Sequence, residues 1–323
     1  MKKIIFYIFV SFSISSVNSI EYSAGINDKT GFMGFFSKSW ITDKPYGESY
    51  ITAGGLAIIG SLGYGQKYYF SKLSNVRKFK PGDRVMSIMK YGGYKTEVIV
   101  PQENTYFIPD GMDIMEAGGF PVIYGTAFSA LINKAKVKKN EICVILGATG
   151  GVGMAAVEIA KAYDATVIAC GGNDKKLLEC LNKGADHVLN YNNNILRKEL
   201  KKLGIKEVDV VVDMVGGQSS LDLVKSLKWD GRLIIVGFTS GNIPEIPANR
   251  LLLKNAKAEG LYWGELAYRK PQEIEKDFKI LGQLFKDNKL NPSINKIFDL
   301  KDATQALKEI ANRKNIGKIV LKC

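Results

Sequence analysis

Ile145-Leu146-Gly147-Ala148-Thr149-Gly150-Gly151-Val152-Gly153 is the stretch on which the reading of the fold turns. Just before the glycines, Ile142–Leu146 is a short unbroken apolar run. Just after them, Val152, Ala155, Ala156, Ile159 and Ala160 recur at helical spacing. A buried strand therefore passes through a glycine turn into an amphipathic helix. The turn contains A-x-G-x-x-G, a variant of the dinucleotide-binding fingerprint. At Gly150 the missing side chain lets the backbone approach a pyrophosphate, and at Gly153 it lets the helix lie close on the strand. The helix start adds unpaired N–H groups and about half a positive charge. Gly147, Gly150, Gly151, Val152 and Gly153 are the candidate pyrophosphate residues.

Outward from this point the chain alternates. Strands are predicted at Ala165–Cys170, Val188–Asn190, Val208–Val212, Leu233–Val236 and Ala256–Leu261, with helices near Lys175–Asn182, Leu196–Leu203 and Leu221–Leu227. Strands separated by helices of this size imply right-handed crossovers and a doubly wound parallel sheet, hence an α/β fold. Two further helices follow, marked by Ile274, Phe278, Leu281 and Phe285, then by Ala303, Ala306, Leu307 and Ile310; Lys318–Lys322 is the last strand. The first 120 residues differ, being rich in Gly, Tyr and Phe with turns at Lys80-Pro81-Gly82-Asp83 and Pro109-Asp110-Gly111. They read as mainly β, with Val85–Met89 and Glu97–Val100 the best strands.

The end of the second parallel strand bears on the cofactor. An NAD site wants an acid there for the ribose hydroxyls. The chain has Cys170-Gly171-Gly172-Asn173 instead; Asp174 is expected to cap the next helix, and Lys175 and Lys176 follow. A small, uncharged strand end beside lysines suits a 2′-phosphate. Charge-assisted bonds to it are worth ~1.5–3 kcal/mol, so NADPH is the expected cofactor.

Composition narrows the rest. The chain has 323 residues, 46% of them hydrophobic, enough for two domains and a sizeable core. Net charge is +13, but the basic residues are scattered, and the run Arg197 to Lys206 is interleaved with Glu199 and apolar residues as on a solvated helix face. Neither nucleic acid nor membrane is an expected partner. Cys143, Cys170, Cys180 and Cys323 lack C-x-x-C spacing and His187 is the sole histidine, so no metal site is expected. Residues 1–19 read either as a signal peptide, too short to span a bilayer, or as a strand opening the first domain. A cytoplasmic setting is expected, with export or an organelle as the alternative, because an exported enzyme would lack an NADPH supply.

The run ILGATGGVGMAAVEIAKAYDATVIACGGNDKKLLECLNKGADHVLNY, residues 145–191, resembles the zinc-independent medium-chain dehydrogenases/reductases. Within them it is most similar to the NADPH:quinone oxidoreductase group, with its zeta-crystallin and prostaglandin-reductase-like members. Asp213-Met214-Val215-Gly216-Gly217, Gly231-Arg232-Leu233, Val236-Gly237-Phe238, Tyr262-Trp263-Gly264 and Gly317-Lys318-Ile319-Val320 agree with it. The resemblance runs from about Phe79 to the C-terminus.

It implies a Rossmann domain over 123–289 and a smaller, mainly β, GroES-like substrate domain from 1–122 and 290–323. It implies that Thr126 approaches the nicotinamide and that Lys176 and Tyr191 surround the 2′-phosphoadenosine end, with Asn173 a further cofactor-binding candidate. The backbone of Gly237 and Phe238 would hold the carboxamide, and Lys318 would close on the cofactor. Asn27 matches an asparagine of the active-site cleft, and Tyr124 and Tyr262 are candidate proton donors. The implied activity is NADPH-dependent hydride transfer to quinones or α,β-unsaturated carbonyls. The implied assembly is a homodimer through the edge strand Ala256–Leu261, with Lys257 and Glu259 pairing across the two-fold axis. Residues before Gly82 depart from the family pattern. The β domain is read as N-terminally incomplete, which implies an open cleft and weak turnover, and makes a cofactor-binding protein without turnover the alternative.

Overall fold

The computed structural model describes residues 6–8, 58–62, 77–80, 82–192, 195–312 and 315–323. Two six-stranded sheets organise them. The first combines β1 (Phe6–Ile8), β2 (Ile58–Leu62), β3 (Val85–Met89) and β4 (Thr105–Phe107) with β11 (Ile294–Asp299) and β12 (Lys318–Lys322), in the order β11-β12-β1-β2-β3-β4. Phe6–Ile8 thus forms a strand, antiparallel to both β2 and β12.

The second sheet contains β5 (Ile142–Leu146), β6 (Thr166–Gly171), β7 (His187–Asn190), β8 (Val208–Asp213), β9 (Leu227–Ile235) and β10 (Lys257–Gly260), all parallel. Its order, β7-β6-β5-β8-β9-β10, reverses direction between β5 and β8, which is where ligands of doubly wound sheets bind. The chain is an α/β protein of Rossmann type with a second, mainly antiparallel β sheet. The unbroken apolar runs make the middle strands possible. Cys143, Ile145, Val167, Ala169, Val210 and Val212 face one core, while Val144, Leu146, Ile168, Cys170 and Val211 face another. A strand buried on both sides has no polar face to alternate with.

The helices are α1 (Ile114–Phe128), α2 (Gly151–Ala162), α3 (Asp174–Asn182), α4 (Leu196–Lys202), α5 (Gly217–Val224), α6 (Ala248–Leu252), α7 (Trp263–Arg269), α8 (Pro271–Lys286) and α9 (Ala303–Ala311). Asp113 starts α1 with a full capping box: its side chain accepts from the Met115 N–H at 2.7 Å, and Glu116 accepts from the Asp113 N–H at 3.0 Å.

Several expectations need correction. Glu97–Val100 is not a strand; Thr105–Phe107 pairs with β3 instead. Ile99 lies exposed, whereas Tyr106 turns inward and packs its ring 4.4 Å from that of Phe278, so the core selects the later segment. The helix expected at 221–227 starts earlier, at Gly217, and Leu227 already opens β9. Asp174 is not the cap of α3. Asn173 is, accepting from the Lys176 N–H at 3.1 Å, while Asp174 accepts from the Asn190 side-chain amide at 2.8 Å.

Candidate functional site

The glycine turn hangs from the end of β6, where the Gly147 and Ala148 N–H groups both donate to the Cys170 carbonyl at 2.9 Å. Gly147 has φ +91, a conformation that favours glycine. A Cβ at Gly153 would lie 2.3 Å from the Gly147 carbonyl oxygen and 2.5 Å from the Ala148 Cα, so the helix meets the turn backbone to backbone. Gly150 is the opposite case. Its φ of −86 suits any residue, and a Cβ there would find only the Gly147 oxygen, at 3.6 Å. That space is a cradle which a side chain would fill, set against the first turn of α2. First-turn N–H groups have no partner within their own helix, so the residues fit a pyrophosphate.

The candidate residues for the 2′-phosphoadenosine end lie one strand over. Gly171 and Gly172 leave room for Thr149 and for the Tyr191 ring, whose atoms would stand 2.8 and 3.1 Å from their absent Cβ atoms. The Tyr191 N–H donates to the Gly171 carbonyl at 3.1 Å. Asn173, Lys176 and Tyr191 are thereby gathered at one strand end. The Lys176 ammonium also donates to the Asn315 carbonyl at 2.7 Å, and partial burial lowers its pKa. Sequence reasoning missed Asn315, because nothing in its local pattern marks a contact with α3.

The segment that enters β12 completes this side. Gly317 bridges Gly150, and its N–H donates to the Thr149 carbonyl at 3.2 Å. Lys318 is buried, which pushes its pKa well down. Its aliphatic stem lies 3.5 Å from where a Gly151 Cβ would stand, so it sits beside the pyrophosphate turn.

At the other end, Asp213 organises the turn after β8. Its carboxylate, fully buried, accepts from the Val215 and Gly216 N–H groups at 2.8 and 2.9 Å and from the Ser220 hydroxyl. Burial raises its pKa against the pull of those bonds. The Gly237 N–H donates to the Asp213 carbonyl at 3.2 Å, so Gly237 and Phe238 leave β9 beside this turn. Tyr262 follows β10 at the same edge and is 67% exposed, leaving its hydroxyl accessible. Thr126 is buried within α1. Its neighbour Gly125 touches the Trp263 indole so closely that a Cβ would stand 2.2 Å from it. Among the described residues the buried Trp263 Nε1–H has no hydrogen-bond partner.

One site expectation changes. Tyr124 is buried, and its hydroxyl donates to Glu158 at 2.5 Å inside the core, which removes it as a proton donor. Within the chain, Glu259 pairs with Lys134 at 2.5 Å and Lys257 at 3.3 Å. Asn27 lies outside the described residues. Among the described residues no three His, Cys, Asp or Glu side chains are grouped as metal ligands, and Cys143 and Cys170 belong to cores on opposite faces of the sheet. No described helix is long and apolar enough to cross a membrane.

A doubly wound sheet with a glycine turn at its switch point defines the class, a dinucleotide-binding dehydrogenase/reductase fold. Residues 151–282 match the family model described as zinc-binding dehydrogenase. Quinone oxidoreductase-like protein 2 of Bos taurus is 35% identical over 250 residues, covering 77% of this chain and 72% of that protein. Quinone oxidoreductase of Sus scrofa is 31% identical over 250 residues, covering 76% and 74%. Among solved structures, Escherichia coli quinone oxidoreductase complexed with NADPH aligns with TM-score 0.70 at 25% identity, covering 82% of this chain and 80% of that one. The chain belongs to the medium-chain dehydrogenase/reductase family, in its quinone oxidoreductase-like group.

Proposed function

We propose that the chain is an NADPH-dependent reductase of quinones or α,β-unsaturated carbonyls. The observation that carries this reading is the open cradle at Gly150, with Lys176 and Tyr191 gathered one strand away. The Escherichia coli and Thermus thermophilus quinone oxidoreductases, solved with NADPH, support it. When bound, NADPH supplies the hydride. Gly147, Gly151, Val152 and Gly153 shape the pyrophosphate turn around Gly150, while Asn173 fixes the start of α3 so that Lys176 meets the 2′-phosphate. Gly237 and Phe238 offer backbone to the carboxamide, Thr126 borders the nicotinamide, and Tyr262 is the phenol placed to give a proton. Lys318, whose stem lies beside Gly151, closes on the cofactor. Residues 123–289 form the cofactor domain in this reading, and 1–122 with 290–323 the substrate domain. The unpaired, buried Cys143, Cys170 and Cys180 favour a reducing compartment such as the cytoplasm.

Dissociation constants for NADPH and NADH, measured at one salt concentration, are the direct test. NADPH binds more tightly, and Lys176→Ala weakens it by roughly ten- to hundredfold while leaving NADH nearly unchanged. Equal affinities would overturn the assignment. Acceptor-dependent NADPH oxidation then separates turnover from binding. The burial of Tyr124 favours the second reading, a cofactor-binding protein without turnover, because it takes away one of two expected proton donors.

No metal takes part in this reading. Elemental analysis of purified, tag-free protein shows zinc far below one ion per chain; stoichiometric zinc is the contrary result. A homodimer is also proposed. The strand β10 lies at the sheet edge, and the end of α6 just before it exposes Leu252 and Leu253 at 79% and 67%. Sedimentation at micromolar concentration shows a dimer, and a monomer alone refutes the proposal.

A further inference from the structure

The helices α4 and α5 pack side by side on the face of the sheet that carries the second core, through Leu196, Leu200, Leu223 and Val224. Between their outer surfaces lies a cleft of about 420 Å³ lined by Arg197, Lys198, Lys201, Gln218, Asp222 and Lys225. Four cationic side chains thus line one concavity against a single carboxylate. That carboxylate is already engaged, since Asp222 accepts from the Gln218 side-chain amide at 3.1 Å.

Three lysines of neighbouring segments are neutralised and these are not. Lys202 pairs with Glu199 at 2.8 Å, and Lys228 and Lys254 pair with Asp209 and Glu207. Among the described residues Arg197, Lys198, Lys201 and Lys225 form no ion pair. Holding like charges together without counterions is unfavourable, and an anion in the cleft relieves it. The volume lies in the range of small-ligand sites, and a concave cleft suits a compact ligand better than an extended polymer. Guanidinium and ammonium groups together match phosphate oxygens, the former in bidentate fashion. Ile195 adds an exposed apolar wall beside the cations.

We propose that the cleft between α4 and α5 is a second anion site, taking a small molecule that bears two or three linked phosphates. It is separate from the glycine turn, so it stands or falls independently of NADPH binding. Titration calorimetry of the full chain with inorganic tripolyphosphate, at about 50 and about 150 mM salt, tests it. Saturable binding is expected, weaker at the higher salt. The double variant Arg197→Gln, Lys201→Gln reduces affinity at least tenfold while NADPH affinity is unchanged. Gly150→Val, which fills the glycine cradle, leaves tripolyphosphate binding intact. A nucleoside triphosphate in the same titration separates two sources of phosphate: tighter binding than tripolyphosphate assigns Ile195 to an organic moiety, and equal binding assigns the site to phosphate alone. The proposal is overturned by lack of saturation, by binding that survives the double variant, by loss on Gly150→Val, or by a short single-stranded oligonucleotide that binds more tightly than either phosphate compound.

Discussion

Gly150→Val abolishes measurable NADPH binding, by at least ~100-fold or about 2.8 kcal/mol, in a protein that still folds. The backbone at Gly150 is extended, with φ −86 and ψ 172, so a β-branched residue fits it, and its Cβ meets only the Gly147 oxygen, at an ordinary contact distance of 3.6 Å. Its methyl groups enter the space proposed for the pyrophosphate. Gly153→Val gives the reverse pattern. A Cβ 2.3 Å from the Gly147 oxygen meets backbone that cannot yield, so α2 lifts from the turn and stability falls by about 3 kcal/mol or more. Fluorescence titration with NADPH and thermal unfolding on both variants distinguish the roles. A folded Gly150→Val protein with wild-type affinity would show that the cofactor lies elsewhere.

The second large effect lies in the core. Glu158 is buried, and it accepts from Tyr124 at 2.5 Å and from Lys183 at 2.7 Å, while the Lys183 ammonium also reaches the Asn291 carbonyl. Lys183→Met leaves the carboxylate buried without its cation and costs about 3–5 kcal/mol. Glu158→Leu in the same chain removes the orphaned charge and recovers most of that loss. The pH dependence follows from the direction of the shift. Desolvation already holds the Glu158 pKa above the usual carboxylate range, and loss of Lys183 raises it further. A carboxyl with a raised pKa in the folded state contributes stability at low pH and loses it as pH rises through that value. The Lys183→Met protein is therefore closer to wild type at pH 5 than at pH 8 in denaturant unfolding. An equal loss at both values would show that Glu158 is not the group left buried and unpaired.

The comparison of these two sites shows what a sequence displays and what it conceals. The glycine turn was legible because strand, turn and helix are contiguous, and each glycine answers a local steric demand. The parallel strands were legible because burial on both faces leaves an unbroken apolar run, as in Val208–Val212. The edge strand was legible for the opposite reason, since Lys257 and Glu259 suit a margin. Tyr124, Glu158 and Lys183 come from three separate elements, and Lys183 reads as a plain surface lysine until folding closes the distance. Trp263 against Gly125 was hidden in the same way, as was Asn315 at Lys176. Thr105–Phe107 won over Glu97–Val100 through a ring contact with α8, a helix far along the chain. The unassigned Arg197 to Lys206 run is a mixed case: its helix was evident, but the concavity it shares with α5 was not.

The bridge between Gly150 and Gly317 has a mechanical consequence. The last strand of the mainly antiparallel sheet begins where the pyrophosphate turn ends, so the two sheets are stitched together at the proposed ligand's own contact point. Whatever steadies the turn must also steady the root of β12, and whatever pulls on β12 must loosen the turn, because coupling between two sites is reciprocal. Residues 318–322 are thus a handle on the glycine turn. A bulky fusion placed after Cys323 transmits its drag along five residues of strand to Gly317, and from there to the cradle at Gly150.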